Sequence, residues 1–485
     1  MVNNPDPIRT PLLEALQNSA RRDLSAFFAP GHKQGSGVLA SLIKGWGKEV
    51  FRADLPELPE LDNLFAPEGV ILEAQGLAAT TFAADRTWFL ANGSTCGVEA
   101  AILATCNPGD KLILARNAHR SAVSGLILSG AIPVWVQPEI GNLPYNVTPE
   151  AIAAALQNHP DAKAVMVVSP TYHGICADID SMARICHQAR IPLLVDEAHG
   201  AHFKFHRDLP ISALAAGADL AVQSTHKVLS ALSQASMLHV CGSLIDRDRL
   251  DRSLALLQST SPSYLLLASL DTARQQMAIS GMELMAKTLR LSVVARERLK
   301  KIAGISVLEK TTTPGFFDLD RTRIAVDISA WQASGFDIDE QLNDRFGVVC
   351  ELPEPHRLTF IVTLGNTDRD IDRLVSGFEE LSRNCTGDRV SDSTQNIQNS
   401  QSNTVCLSPR EAFFAATETR SQLEAIGCIS AEIVCPYPPG IPVLMPGERI
   451  TKDAIDALQN IVVSGGTITG CADSSLRTLK VVCHS

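Results

Sequence analysis

The chain has 485 residues and a mass of 52.1 kDa, more than one compact core holds and enough for two or three ordinary domains. Hydrophobic residues at 45%, charged residues at 20% and aromatics at 5% exclude a fibrous, disordered or membrane-embedded chain and suit a sheet covered by helices. The net charge of −11 and pI near 5.6 argue against a nucleic-acid or anionic-membrane partner, while leaving a cationic substrate unrepelled.

Taken from the N-terminus, Met1 to Leu13 carry no apolar leader stretch, and no apolar run approaches the roughly 18 residues of a membrane span, so a cytoplasmic protein is expected. Residues 1–60 form an N-terminal segment, rich in Pro and Gly, that reads as irregular and is expected to lie against another domain or subunit. A large domain spans 61–290. Short apolar runs at Thr87–Ala91, Lys111–Ala115, Ile132–Val136, Ala164–Ser169, Ile191–Val195 and Leu220–Gln223 predict buried strands. Helix-length stretches at Val98–Thr105, Ser121–Leu128, Pro149–Gln157 and Ile179–Ala189 separate them. That alternation is the pattern of a βα architecture with a mainly parallel sheet. A long helix over Ala268–Ile302 leads into a smaller α/β subdomain, 291–383, with strands at Arg323–Ile328 and Leu358–Thr363. Residues 384–408 turn polar and Asn/Ser/Gln-rich, which predicts a flexible linker, and 409–485 form a small C-terminal domain. Twelve cysteines without a CxxC pair read as reduced core thiols, with no metal site expected.

Three local signals carry chemistry. Lys227, in Ser224-Thr225-His226-Lys227, follows a predicted strand, where partial desolvation would make its amine usable for an imine. A surface lysine after a strand is the ordinary reading of such a residue taken alone. Upstream, Asp196 ends the apolar strand Leu193–Val195 at the edge where open α/β sheets bind ligands. There an ionised carboxylate can keep a pyridinium nitrogen protonated, or simply cap a helix, and His199 can be a satisfied core histidine. Further upstream, Ala91–Thr95 (ANGST) leaves a strand and opens a helix, so its N–H groups and the Ser94 and Thr95 hydroxyls could hold a phosphate.

These stretches occur in family order with Pro30–Gly35 (PGHKQG), Asn117–Ser121 (NAHRS), Pro170–Gly174 (PTYHG), Asp196–His202 (DEAHGAH), Gln234–His239 (QASMLH), Ser259–Tyr264 (STSPSY) and Cys435–Pro442 (CPYPPGIP). Together they resemble the ornithine/lysine/arginine decarboxylases of the aspartate-aminotransferase fold, in their shorter bacterial form. The resemblance implies pyridoxal 5'-phosphate as cofactor, held by Lys227 as an imine, with Asp196 paired to the pyridine nitrogen and His119 stacked on the ring. It places Ser94, Thr95, Ser224 and His226 at or near the phosphate and His199 near the ring face. The Thr260 region is implied to reach a partner subunit's cofactor, hence a homodimer or dimer-based oligomer with shared active sites. Ala118 and Arg120 depart from the Cys and Lys usual in that motif, and the wing domain of the longest members is missing, so their decamers are not expected.

The implied reaction is decarboxylation of a basic amino acid, arginine or lysine ahead of ornithine, giving agmatine, cadaverine or putrescine for polyamine metabolism. Lys227 or a neighbouring acid would return a proton to Cα after carbon dioxide leaves. Two alternatives stand beside it. One is another reaction on the same fold, such as transamination, which would employ a late arginine as carboxylate clamp; Arg357 is either that clamp or an exposed residue at a strand start. The other is a catalytically silent binding protein. For the distal cation of the substrate, Glu351, Glu432 and Asp178 are the candidate acids, and surface carboxylates are their bland reading.

Overall fold

The computed structural model describes residues 6–141, 143–385, 404–437 and 439–483. In chain order the elements used below are β1 (Arg86–Leu90), α1 (Gly93–Thr105), β2 (Lys111–Ala115), α2 (Arg120–Ser129), β3 (Ile132–Val136) and β4 (Ala164–Val168). There follow α3 (Ile179–Gln188), β5 (Leu193–Asp196), β6 (Leu220–Gln223), α4 (Thr225–Val228), β7 (Ser236–Val240), α5 (Tyr264–Leu299), β8 (Arg323–Asp327) and β9 (Arg357–Ile361). The chain divides into two compact units, Met1–Ala104 with Leu194–Met285, and Thr105–Leu193 with Ala286–Ser485.

In the first unit β5 and β6 pair in parallel, β7 pairs antiparallel with β6, and β1 antiparallel with β7. Parallel pairing puts the carboxyl ends of β5 and β6 at one edge, so Asp196 and the Ser224–Lys227 turn emerge side by side. Strand β7 was not expected: its SMLHV run returns after a short turn, in which Gln234 takes a left-handed φ of 82°, and it closes the pairing between β6 and β1. In the second unit β2 pairs in parallel with both β3 and β4. The result is a mixed α/β fold whose central sheet is mainly parallel, as the apolar runs imply. Those strands are buried on both faces, which is why they read as continuous apolar stretches instead of alternating ones.

The expectation of an irregular N-terminal segment is corrected. Helices form over Pro11–Arg21, Ala40–Trp46 and Lys48–Ala53. Pro11 suits the first helical turn, and Leu12, Leu16 and Ala20 recur at helical spacing on the buried face. This segment is anchored by a fully buried pair on α5: Arg274 donates to Asp271 at 2.5 Å and to the carbonyls of Pro7 and Arg9, while Leu12 N–H donates to Asp271. Removing one partner of a buried pair strands the other charge. Asp271→Ala is therefore expected to cost about 3–5 kcal/mol, read as a lowered urea midpoint, and an unchanged midpoint would refute that role.

In the second unit β8 and β9 pair antiparallel, and Trp331, Leu358 and Phe378 lie in the core beneath them. A separate core around Val434, Leu458 and Val481 belongs to the C-terminal residues. Of the segment expected to be a linker, 386–403 lie outside the described residues. Residues 404–408 do not behave as a loose tether: Val405 bridges to Glu448, and Ser408 forms a capping box with Glu411 that starts the helix Pro409–Phe414. Cys96, Cys106, Cys176, Cys186 and Cys435 are buried. Among the described residues no helix is long and apolar enough to cross a membrane.

Candidate active site

Lys227 Nζ lies 3.0 Å from His199 Nε2. Asp196 is buried at the end of β5 and accepts a bond from Ala198 N–H at 3.1 Å. Burial pushes its carboxyl above the ordinary range, and the positive charge of Lys227 pulls it back down, as does the Ala198 N–H. Lys227, His199 and Asp196 therefore share one carboxyl-terminal strand edge of the first unit.

Ser224, fully buried, donates to Ser94 Oγ at 2.7 Å. This meeting depends on Gly97. A Cβ there would stand 2.7 Å from Leu90 Cδ1 and 2.8 Å from Val222 Cγ1, so only glycine lets α1 approach β1 and β6 this closely. The first turn of α1, with its free N–H groups, is thereby brought to the end of β6. Thr95 is exposed beside it. His226 spends Nδ1 on the Ala235 carbonyl at 3.0 Å, and burial lowers its pKa, with the Lys227 charge adding to the fall and the Ala235 bond opposing it. Thr260 is exposed just before α5.

Behind these residues runs a chain of hydrogen bonds across four strands that the sequence reading missed. Ala213 N–H and Gln223 Nε2 each donate to Glu197 at 2.7 Å, Gln223 Oε1 meets His239 Nε2 at 3.1 Å, and His239 Nδ1 meets Thr87 Oγ1 at 2.8 Å. It joins the residue after Asp196 to the residue before Ser224, holding the ends of β5 and β6 together. Its members are almost wholly buried, and burial moves Glu197 up to about 8 and His239 down to about 3. The available signal was the presence of polar residues inside otherwise apolar strands, since a buried polar group needs a partner.

A raised acid has a definite linkage sign. Between the unperturbed 4.5 and about 8, the folded state holds a proton that the unfolded state has released. This share of stability is present below pH 4.5 and lost as pH rises through about 8. Glu197→Gln abolishes that titration, so wild type should lose roughly a few kcal/mol relative to the variant over this window. Paired melting curves across pH check this, and a pH-independent difference would sink it.

The second unit holds His119 as the N-cap of α2, where Nδ1 accepts from Ser121 N–H at 3.2 Å and lies 2.9 Å from Ser121 Oγ. His173, of the PTYHG motif, is buried against Thr359, with Nδ1 at 3.0 Å from its hydroxyl. Arg357 is neither an exposed residue nor a free clamp. It is buried on β9 and donates to Asp327, its cross-strand partner, at 3.0 Å. Of the candidate distal acids, Asp178 caps α3 by accepting from Ser181 N–H. Glu432 accepts the backbone N–H groups of Ala472 and Lys480. Glu351 is exposed, and its carboxylate is the one of the three not given over to backbone N–H groups.

The family model described as Orn/Lys/Arg decarboxylase, major domain, matches residues 10–323, and that of the same family's C-terminal domain matches 392–465. The arginine decarboxylase of Bacillus subtilis is 37% identical over 478 residues, 98% of each chain. Among solved structures, a lysine decarboxylase of Francisella novicida superposes with a TM-score of 0.81 at 23% identity, covering 98% of this chain and 81% of that one. An alanine–glyoxylate aminotransferase from Nostoc superposes with a TM-score of 0.53 at 18% identity, covering 66% of this chain and 88% of that one. The aminotransferase shares only the fold. With its family model matched over most of its length and a relative of that identity spanning nearly all of it, this chain belongs to the Orn/Lys/Arg decarboxylase family.

Proposed function

We propose that this protein is a pyridoxal-phosphate-dependent arginine decarboxylase that releases carbon dioxide and agmatine. Decarboxylation of a basic amino acid follows from the family, and arginine is chosen over lysine because the full-length relative at 37% identity bears that name. The observation that carries the reading is Lys227, 3.0 Å from His199, beside a buried Asp196 at the ends of two parallel strands.

The residues present fit the cofactor. Asp196 is a buried carboxylate whose charge is opposed by burial and favoured by a nearby cation, which is what a protonated pyridine nitrogen would be. The paired hydroxyls of Ser94 and Ser224 sit with the first turn of α1, where an anion finds donors and a favourable helix end. When bound, pyridoxal phosphate supplies an electron sink for the pair left on Cα as the carboxylate departs. Asp196 stays ionised and keeps a proton on the ring nitrogen. Lys227 Nζ would hold the cofactor and, with the substrate bound, would carry the proton returned to Cα, with His199 Nε2 as its hydrogen-bond partner. His119 covers the ring in this reading, and Thr95 and His226 complete the phosphate surroundings. Thr260 serves the site of a second copy, so the working unit is a homodimer, placed in the cytoplasm. We likewise keep the division into a large domain, an α/β subdomain and a C-terminal domain.

Nothing favours transamination, since the arginine available for a carboxylate clamp is committed to Asp327. A silent binding protein is disfavoured because Lys227 and Asp196 are both present and adjacent to their partners. The test is carbon dioxide release from arginine, lysine and ornithine side by side with saturating cofactor. Arginine is expected to turn over fastest, with agmatine as product. A keto acid product, or equal inertness towards all three, would overturn the proposal, and faster turnover of lysine would reassign the substrate.

A further inference from the structure

The role of the C-terminal residues is the open question that the CPYPPGIP motif poses. They are matched as a domain of the family, yet none of the residues assigned above to the reaction lies among them. Several of their contacts within the second unit gather on the helix α2 that His119 caps and on the residues just before it.

At the start of α2, Arg120 N–H, one of the donors that no helical carbonyl can satisfy, donates to the Gly440 carbonyl at 3.0 Å. Gly440 itself faces the His119 ring. A Cβ at this position would stand 3.0 Å from His119 Nε2 and 3.2 Å from Cδ2, and the backbone has a left-handed φ of 81°. Nδ1 is held by Ser121, and the opposite edge of the imidazole lies close enough to Gly440 that any side chain there would press on it. One turn before the helix, Arg116 donates to the Pro442 and Val443 carbonyls at 2.7 and 3.1 Å and pairs with Glu448 at 3.3 Å. Along the flank, Met445 packs against Val123 and Ile127. At the far end, α2 has no basic residue in its last turn, and Arg410 supplies one, donating to the Ile127 and Leu128 carbonyls at 2.9 and 2.7 Å. Both ends of a ten-residue helix are thus satisfied by groups from a domain far along the chain.

We propose that the C-terminal domain is a positioning clamp for His119: it grips α2 at both ends, and Gly440 sets the plane of the imidazole. Gly440 and Arg410 act through His119 and are positioning residues. The proposal rests on the reading of His119 as the ring that covers the cofactor, and its test separates the two.

Cofactor dissociation constants are measured by titrating cofactor-free protein with pyridoxal phosphate, for wild type, Gly440→Ala, His119→Ala and the double variant. An added methyl forces the ring over by a few tenths of an ångström, and a loss of about tenfold is expected from such misplacement. In the His119→Ala background Gly440→Ala should cause no further loss, because a residue acting through His119 has nothing left to act on. Independent, multiplying losses would overturn the clamp. If His119→Ala binds the cofactor as wild type does, the reading of His119 fails, and the clamp is then judged without cofactor. For that, the His119 ring signals of cofactor-free protein are followed by NMR in Gly440→Ala and in Arg410→Met, which releases the opposite end of α2. Shifted or broadened signals in both support the clamp, and unmoved signals in Arg410→Met overturn it even where Gly440→Ala does not fold.

Discussion

Lys227→Ala is expected to lower kcat by at least about a thousandfold, with loss of the visible absorbance of lysine-bound cofactor. Two duties fall on one amine. In the proposed reaction it would hold the cofactor in place between turnovers and carry the proton that Cα must regain. An alanine does neither, and the neighbouring His199, 3.0 Å from Nζ in the native protein, is left without the group it meets. The fold should be spared: α4 is short, and the backbone of Lys227 is held by its bond to the Ser224 carbonyl, which does not depend on the side chain. Stopped-flow and steady-state carbon dioxide release, with a melting curve as control, check the effect. Full turnover by the variant, with its absorbance intact, would remove Lys227 from the mechanism.

Asp196→Asn should cost about a hundredfold to ten thousandfold in kcat, with a much smaller change in KM. The substitution keeps shape and the acceptor for Ala198 N–H but removes the charge that would hold a ring proton. Burial already opposes ionisation of Asp196, so a neutral side chain relieves that penalty, and the variant should be no less stable than wild type. Loss of activity together with equal or higher melting temperature is therefore the expected pair of results. A variant that melts far below wild type would indicate a structural carboxylate instead.

Much of this was open to reading along the chain, for reasons that differ by element. Buried parallel strands appear as continuous apolar runs, so β2, β3 and β6 stand out with the bounds observed. Lys227 and Asp196 stood out through their order and register, each just past or at the end of such a run with the ANGST turn upstream, since strand ends face the ligand edge, and through the family motifs around them. Strand β7 was missed because its return from β6 depends on a left-handed residue, Gln234, that is not a glycine. The N-terminal helices were missed because Pro and Gly around them mark breaks without excluding short helices between.

Arg357 shows the limit from the other side. Its place at a strand start was legible, but its occupation by Asp327 depends on the antiparallel register of β8 and β9. The same holds for Glu197. Nothing adjacent in the chain marks it as more than an acid beside Asp196, and its partner Gln223, with His239 and Thr87 beyond it, arrives from three other strands.

By itself, the sequence determined the alternation of strands and helices, because apolar periodicity is a local property, and the family, through the motifs that resemble it; it also marked Lys227 and Asp196 as the residues proposed for the chemistry. The tertiary structure alone decided which polar groups share a hydrogen-bonded chain behind Asp196, which arginine is already spent, and what the C-terminal residues touch. Those outcomes depend on sheet order and register, which join groups tens to hundreds of residues apart and leave no periodic trace in the chain.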